Sequence, residues 1–141
     1  IAGRVAPPYS GAYAASKHAL EALTESLHFE VSHLGIRVHL IQPGRFLTNF
    51  HDSIVFPSVW KGSLHEDRAL AFRESLTSLD GADTPADPQT VADAIARAAT
   101  DHSAPFRTLV GADAELIDAT KSAMSFEDFE TTMRTALDWH D

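Results

Sequence analysis

The sequence predicts an α/β domain built on a parallel sheet, and three stretches carry that prediction. Residues 10–34 hold a helical apolar pattern, with Leu20, Leu23, Leu27, Val31 and Leu34 at steps of three and four. The run Ile36-Arg37-Val38-His39-Leu40-Ile41-Gln42 follows at once, partly β-branched and mostly apolar, and is stopped by Pro43-Gly44. A second run, Phe106-Arg107-Thr108-Leu109-Val110, comes after another helical pattern and ends at Gly111. Helices alternating with short apolar strands make βαβ units, whose strands are buried on both faces.

Each element has its own local signals. Residues 1–8 read as a loop, because Gly3, Pro7 and Pro8 oppose a helix. Ser10 suits the N-cap of the long helix, where a hydroxyl accepts an orphan backbone N–H. Gly35 suits the position just past its end, where a positive φ costs glycine little. The leucine face is expected to point at the core. The opposite face, with Glu21, Ala22, Glu25, His28 and Ser32, is expected to point outward and permits packing on a second copy. Residues 50–79 mix Phe50, Val55, Phe56, Val59, Trp60 and Leu64 with Pro57, Gly62 and charges. Long connections of this kind are often lids or binding loops. A short helix over residues 68–79 is expected inside it, with Leu70, Phe72 and Leu76 as contacts. Asp87 caps the next helix, which opens with Pro88 and shows an apolar face of Val91, Ala92, Ile95, Ala98 and Ala99. The remainder is helical in composition. There Ser125 and Asp128 resemble a capping box, and Phe126, Phe129, Met133 and Leu137 form an expected buried face.

Composition bounds the function. The chain has 141 residues, enough for one domain, with 44% hydrophobic and 22% charged residues. A net charge of −9 argues against a nucleic-acid surface. The absence of cysteine excludes disulfides and thiolate metal sites and is compatible with a cytoplasmic setting. No apolar run approaches the roughly 20 residues of a membrane span. The histidines do not cluster, and their spacing offers no metal site, so no metal is expected.

Chemistry concentrates in Tyr13-Ala14-Ala15-Ser16-Lys17. On a helix, residues four apart share a face. A nearby ammonium favours the phenolate of a tyrosine, and a tyrosine so placed can act as general acid and base on an alcohol or carbonyl. The same spacing also fits a half-buried tyrosine beside a solvated lysine, so the flanking motifs decide.

Those flanks fall in a recognisable order. Tyr13-Ala14-Ala15-Ser16-Lys17 opens a long helix, the next strand ends in Pro43-Gly44, and Thr48 comes four residues later. An aromatic variable segment, Asp87-Pro88 at a helix start, and Val110-Gly111 at a strand end follow. From residue 1 to about 114 the chain resembles the C-terminal half of a short-chain dehydrogenase/reductase. The resemblance implies one portion of a single Rossmann-type, doubly wound parallel sheet across residues 1–141, with the N-terminal dinucleotide-binding half absent. It implies NAD or NADP as cofactor, and hydride transfer between an alcohol and a ketone or aldehyde. Tyr13 would exchange the proton at the substrate oxygen. Lys17 would bind the nicotinamide ribose. Pro43, Gly44 and Phe46 would line the nicotinamide, and Thr48 would lie near its carboxamide. Residues 50–80 would form the substrate lid, with Phe50, Phe56 and Trp60 facing an apolar substrate. The full-length protein would be a homodimer or homotetramer.

The family's Gly-rich phosphate turn does not occur in these residues, so the 141-residue chain alone is expected to be inactive. The resemblance further implies a catalytic Ser immediately before Ile1, or one position earlier, with the Gly-rich turn upstream. The alternative is a non-catalytic relative that binds cofactor or forms dimers.

Overall fold

The computed structural model describes residues 1–46, 48–50, 60–78 and 86–139. Their elements run α1 (Gly11–Val31), a 3₁₀ turn (Ser32–Leu34), β1 (Leu40–Pro43), α2 (Glu66–Ser78), α3 (Gln89–Thr100), β2 (Arg107–Val110), α4 (Ala112–Ala123) and α5 (Phe126–Ala136). The two strands are parallel, with Leu40 opposite Arg107 and Pro43 opposite Val110. This is a small α/β fold of two parallel strands and five helices among the described residues. The predicted lid residue Phe56, and residues 81–85 of the predicted loop, lie outside them.

α1 begins where the pattern placed it, and Gly35 takes a φ of +75° after the 3₁₀ turn. Ser10 occupies the cap position, but its hydroxyl makes no capping bond. Its φ of −119° and ψ of 17° depart from the extended backbone that aims an N-cap oxygen at the first turn.

The larger correction concerns which side of α1 is covered. Leu20, Leu23, Leu27 and Leu34 are 49%, 69%, 46% and 64% exposed, whereas Ala14 is buried. The side expected to face outward meets the strands instead. The Arg107 guanidinium donates to Glu21 at 3.0 Å and also to Glu25. Glu21 accepts from the buried Gln42 at 2.6 Å, and the His28 ring lies 4.8 Å from Phe106. Two adjacent strand axes are only about 4.8 Å apart, while a helix with its side chains is about 10 Å across. So narrow a sheet covers one side of α1, and the ion pairs select the charged one.

β1 starts four residues later than the apolar run. Residues 36–39 have no opposite number, since β2 begins at Arg107. Arg37 instead donates to the carbonyls of Ala98, Ala99 and Asp101, satisfying the end of α3. Ile36 is 52% exposed, and only Leu40 and Gln42 of β1 are buried, so the strand is covered on one face rather than two. Pro43 extends the strand rather than stopping it. The N–H groups of Leu40 and Gly44 donate to Phe106 and Val110. By the two-residue alternation, Pro43 turns its missing donor to the other edge.

The helices after β1 are short, and their buried residues are mostly small. α2 begins at Glu66, two residues earlier than expected, and buries Ala69 and Phe72 while Leu70 is exposed. Asp87 caps as expected, its carboxylate accepting from the Gln89 N–H at 2.9 Å. α3 buries Ala94 and Ala98, leaving Ala92, Ile95 and Ala99 exposed. Alanines on that stripe allow the helix to approach both strands closely. The Ser125 hydroxyl caps α5, accepting from the Asp128 N–H at 3.1 Å. The Asp128 carboxylate takes the hydroxyl proton at 2.8 Å instead of reaching the Ser125 backbone. Of the expected α5 face, Leu137 is buried and Phe129 and Met133 are half-buried, but Phe126, in the first turn, is exposed.

Candidate active site

Tyr13 and Lys17 project from the first two turns of α1. The lysine ammonium lies 5.4 Å from the centre of the tyrosine ring, as residues four apart on a helix should. Lys17 is half-buried, and Tyr13 is 42% exposed, open enough to meet a ligand. The Ser16 hydroxyl donates back to the Tyr13 carbonyl at 2.7 Å and faces solvent.

The chain after β1 returns to this tyrosine. The Phe50 ring packs 5.6 Å from that of Tyr13. The Phe50 N–H donates to the Thr48 hydroxyl at 3.3 Å, which folds residues 48–50 into a turn beside α1. Thr48 and Phe50 are both exposed there. The structure therefore brings together Tyr13, Lys17, Thr48 and Phe50, which the sequence separates by up to 37 positions.

Pro43, Gly44 and Phe46 lie at the carboxyl end of β1, where open α/β sheets bind ligands. They are half-buried. A carboxylate that the sequence reading did not single out shapes this corner. Asp113, in the first turn of α4, accepts from the Arg45 N–H at 2.7 Å. Its oxygens lie 2.0 and 2.3 Å from where a Cβ on Gly44 would stand. Gly111, at φ +105°, leaves room beside Asp113: a Cβ there would lie 2.7 Å from its Oδ1 and 3.7 Å from the Phe46 ring. The signal for Asp113 was present in the sequence as an acid at a helix start, just after Val110-Gly111, but nothing local pairs it with Gly44.

α2 borders the same end of α1. Tyr9, at φ 60°, sets its ring 6.2 Å from His65 and 6.3 Å from Phe72. The Arg45 guanidinium donates to the Leu76 carbonyl. Trp60 is half-buried just before α2.

Two ionisable groups outside the corner are shifted by their partners. Glu25 and Glu21 hold the Arg107 guanidinium above its ordinary value. The hydroxyl and N–H of Ser103 hold the Asp101 carboxyl below its usual 3.8. Among the described residues, no group of three or more His, Asp or Glu side chains is placed to hold a metal ion. Nor is any helix among them long and apolar enough to cross a membrane.

Known proteins share parts of this sequence. Residues 1–55 match the model of the short chain dehydrogenase family. The chain carries a short-chain dehydrogenase sequence. Its relatives bear oxidoreductase names. It is 36% identical over 112 residues to a 3-ketodihydrosphingosine reductase of Bacteroides thetaiotaomicron, covering 79% of this chain and 41% of that protein. It is 30% identical over 149 residues to the oxidoreductase YusZ of Bacillus subtilis, covering 97% of this chain and 50% of that protein. An NAD-dependent oxidoreductase of Mycobacterium tuberculosis is 57% identical over 42 residues, which are 30% of this chain and 15% of that protein. The chain thus spans half or less of the length of these relatives. Membership of this family implies NAD or NADP as the cofactor.

The corner fits the nicotinamide half of such a cofactor. It offers a half-buried ammonium at Lys17, an exposed hydroxyl at Thr48 and the half-exposed phenol of Tyr13 around the end of β1.

Proposed function

We propose that these residues are the C-terminal half of a Rossmann-type oxidoreductase that interconverts an alcohol and a ketone or aldehyde. The observation that carries this reading is the Tyr13–Lys17 pair, stacked one helical turn apart and met by the 48–50 turn. A bound nicotinamide cofactor supplies or takes the hydride. The protein supplies orientation and the proton. Tyr13 gives its proton to the substrate oxygen in reduction and takes it back in oxidation. Lys17 holds the nicotinamide ribose. Pro43, Gly44 and Phe46 line the nicotinamide ring, and Thr48 binds at its carboxamide.

Phe50 and Trp60 face the substrate, which is an apolar ketone or alcohol. The relative named as a 3-ketodihydrosphingosine reductase, a name that specifies a keto group, supports a carbonyl substrate. Packing of α1 against a second copy gives a homodimer or homotetramer. The cysteine-free composition suits the cytoplasm. The 141 residues alone, without a Gly-rich phosphate turn, are inactive.

Tyr13→Phe in the intact protein tests the assignment. It keeps the ring against Phe50 and removes the proton, so turnover should fall by about a hundredfold or more while NAD(P)H titration stays unchanged. A Phe variant retaining more than about a tenth of the parent rate points to the non-catalytic, cofactor-binding reading.

A further inference from the structure

We propose that Asp113 is a positioning residue for the turn that faces the nicotinamide, an inference that rests on the function proposed above. Three observations converge on its carboxylate. Oδ2 accepts from the Arg45 N–H at 2.7 Å, so the first peptide donor after Gly44 is held by α4. The carboxylate lies so close to the Gly44 Cα that a Cβ there would fit only if the Asp113 side chain moved away. The Gly44 N–H itself donates to the Val110 carbonyl at 2.9 Å, the last rung of the β1–β2 ladder. The chain leaving β1 is therefore gripped at two successive amides, one by β2 and one by the helix that follows β2.

This grip sets the course of the chain at Gly44 and Arg45. Beyond Gly44 the two-strand ladder offers no further partner, because β2 ends at Val110. Without Asp113 the Arg45 N–H faces the start of α4, whose own first-turn N–H groups are donors and cannot accept it. A carboxylate there accepts from Arg45 and suits the positive end of α4 as well. The backbone at Gly44 and Arg45, which leads into Phe46, is thus held in place without a cofactor, which lowers the entropy lost on binding. Asp113 acts through the backbone of Gly44 and Arg45 and touches no reacting atom.

The experiment compares Asp113→Ala with Asp113→Asn in the intact protein. Asparagine keeps an oxygen acceptor of the same shape, while alanine removes it. In Asp113→Ala, hydrogen exchange at the Arg45 amide should accelerate about tenfold or more, and KM for NADH or NADPH should rise about tenfold with kcat changed less than about threefold. Asp113→Asn should stay within about threefold of the parent on each measure. If Asp113→Ala does not fold, Asp113→Ser, too short to reach Arg45, replaces it with the same expectation. Faster Arg45 exchange with an unchanged cofactor KM would overturn the positioning role, leaving only a structural tie. Unchanged Arg45 exchange would overturn the grip itself. A parent protein that shows no NADH or NADPH binding defeats the proposed function before any variant is compared, and the positioning role falls with it.

Discussion

Replacing Gly44 by alanine puts a methyl group where the Asp113 carboxylate already stands. An ideal Cβ there meets Oδ1 at 2.0 Å, Oδ2 at 2.3 Å and Cγ at 2.4 Å, against an ordinary contact of 3.4–4 Å. The carboxylate must retreat by more than an ångström, and the 2.7 Å bond from the Arg45 N–H is lost. A hydrogen bond to a charged acceptor contributes roughly 1.5–3 kcal/mol, so Gly44→Ala should cost about 2 kcal/mol. Asp113→Ala loses the same bond and should cost a similar amount. The double variant behaves differently, because the three nearest obstacles to the new Cβ all belong to Asp113. With that side chain gone those three contacts vanish, so alanine at position 44 should cost far less than it does in the parent, and the coupling energy is about 2 kcal/mol. Urea unfolding of the parent, both single variants and the double variant measures it. Costs that add to within about 0.5 kcal/mol would refute the contact.

Three further expectations follow from other contacts. Lys17→Met removes the ammonium beside Tyr13 and should lower both turnover and NAD(P)H affinity by about tenfold or more; unchanged kinetics would return Lys17 to the role of a solvated side chain. Arg107→Leu strips Glu21 and Glu25 of their shared cation between α1 and β2. It should cost about 1 kcal/mol in urea unfolding, and an unchanged midpoint would show that the two carboxylates do not depend on it. Asp101 is lowered in the folded chain by Ser103. Its contribution to stability is therefore present above the ordinary 3.8 and is lost as pH falls through the lower folded value. Ser103→Ala keeps the Ser103 N–H but removes the hydroxyl, so it should move the Asp101 carboxyl titration, followed by NMR, upward toward 3.8, and an unmoved titration would exclude the hydroxyl as a cause.

Features that depend on a few neighbouring residues were legible in the sequence. Tyr13 meets Lys17 because any helix brings residues four apart together. Gly35 and Gly111 adopt positive φ where a helix and a strand end, and Asp87 and Ser125 cap the helices they precede. That both runs hold a strand of a parallel sheet was foreseeable as well, because both are apolar and each follows a helix, although only Leu40–Pro43 and Arg107–Val110 pair. Tertiary structure decided the rest. Periodicity showed that α1 has an apolar stripe, but not that the strands would take its charged side. That choice required Gln42 and Arg107 to arrive opposite Glu21 from 21 and 86 positions away. β1 begins at Leu40 because β2 offers partners only from Arg107 onward, a limit absent from the β1 sequence itself. Asp113 and Gly44 fit one against the other across 69 positions of chain. Local sequence sets which conformations a segment prefers, whereas contact between distant segments depends on where the whole chain places both partners.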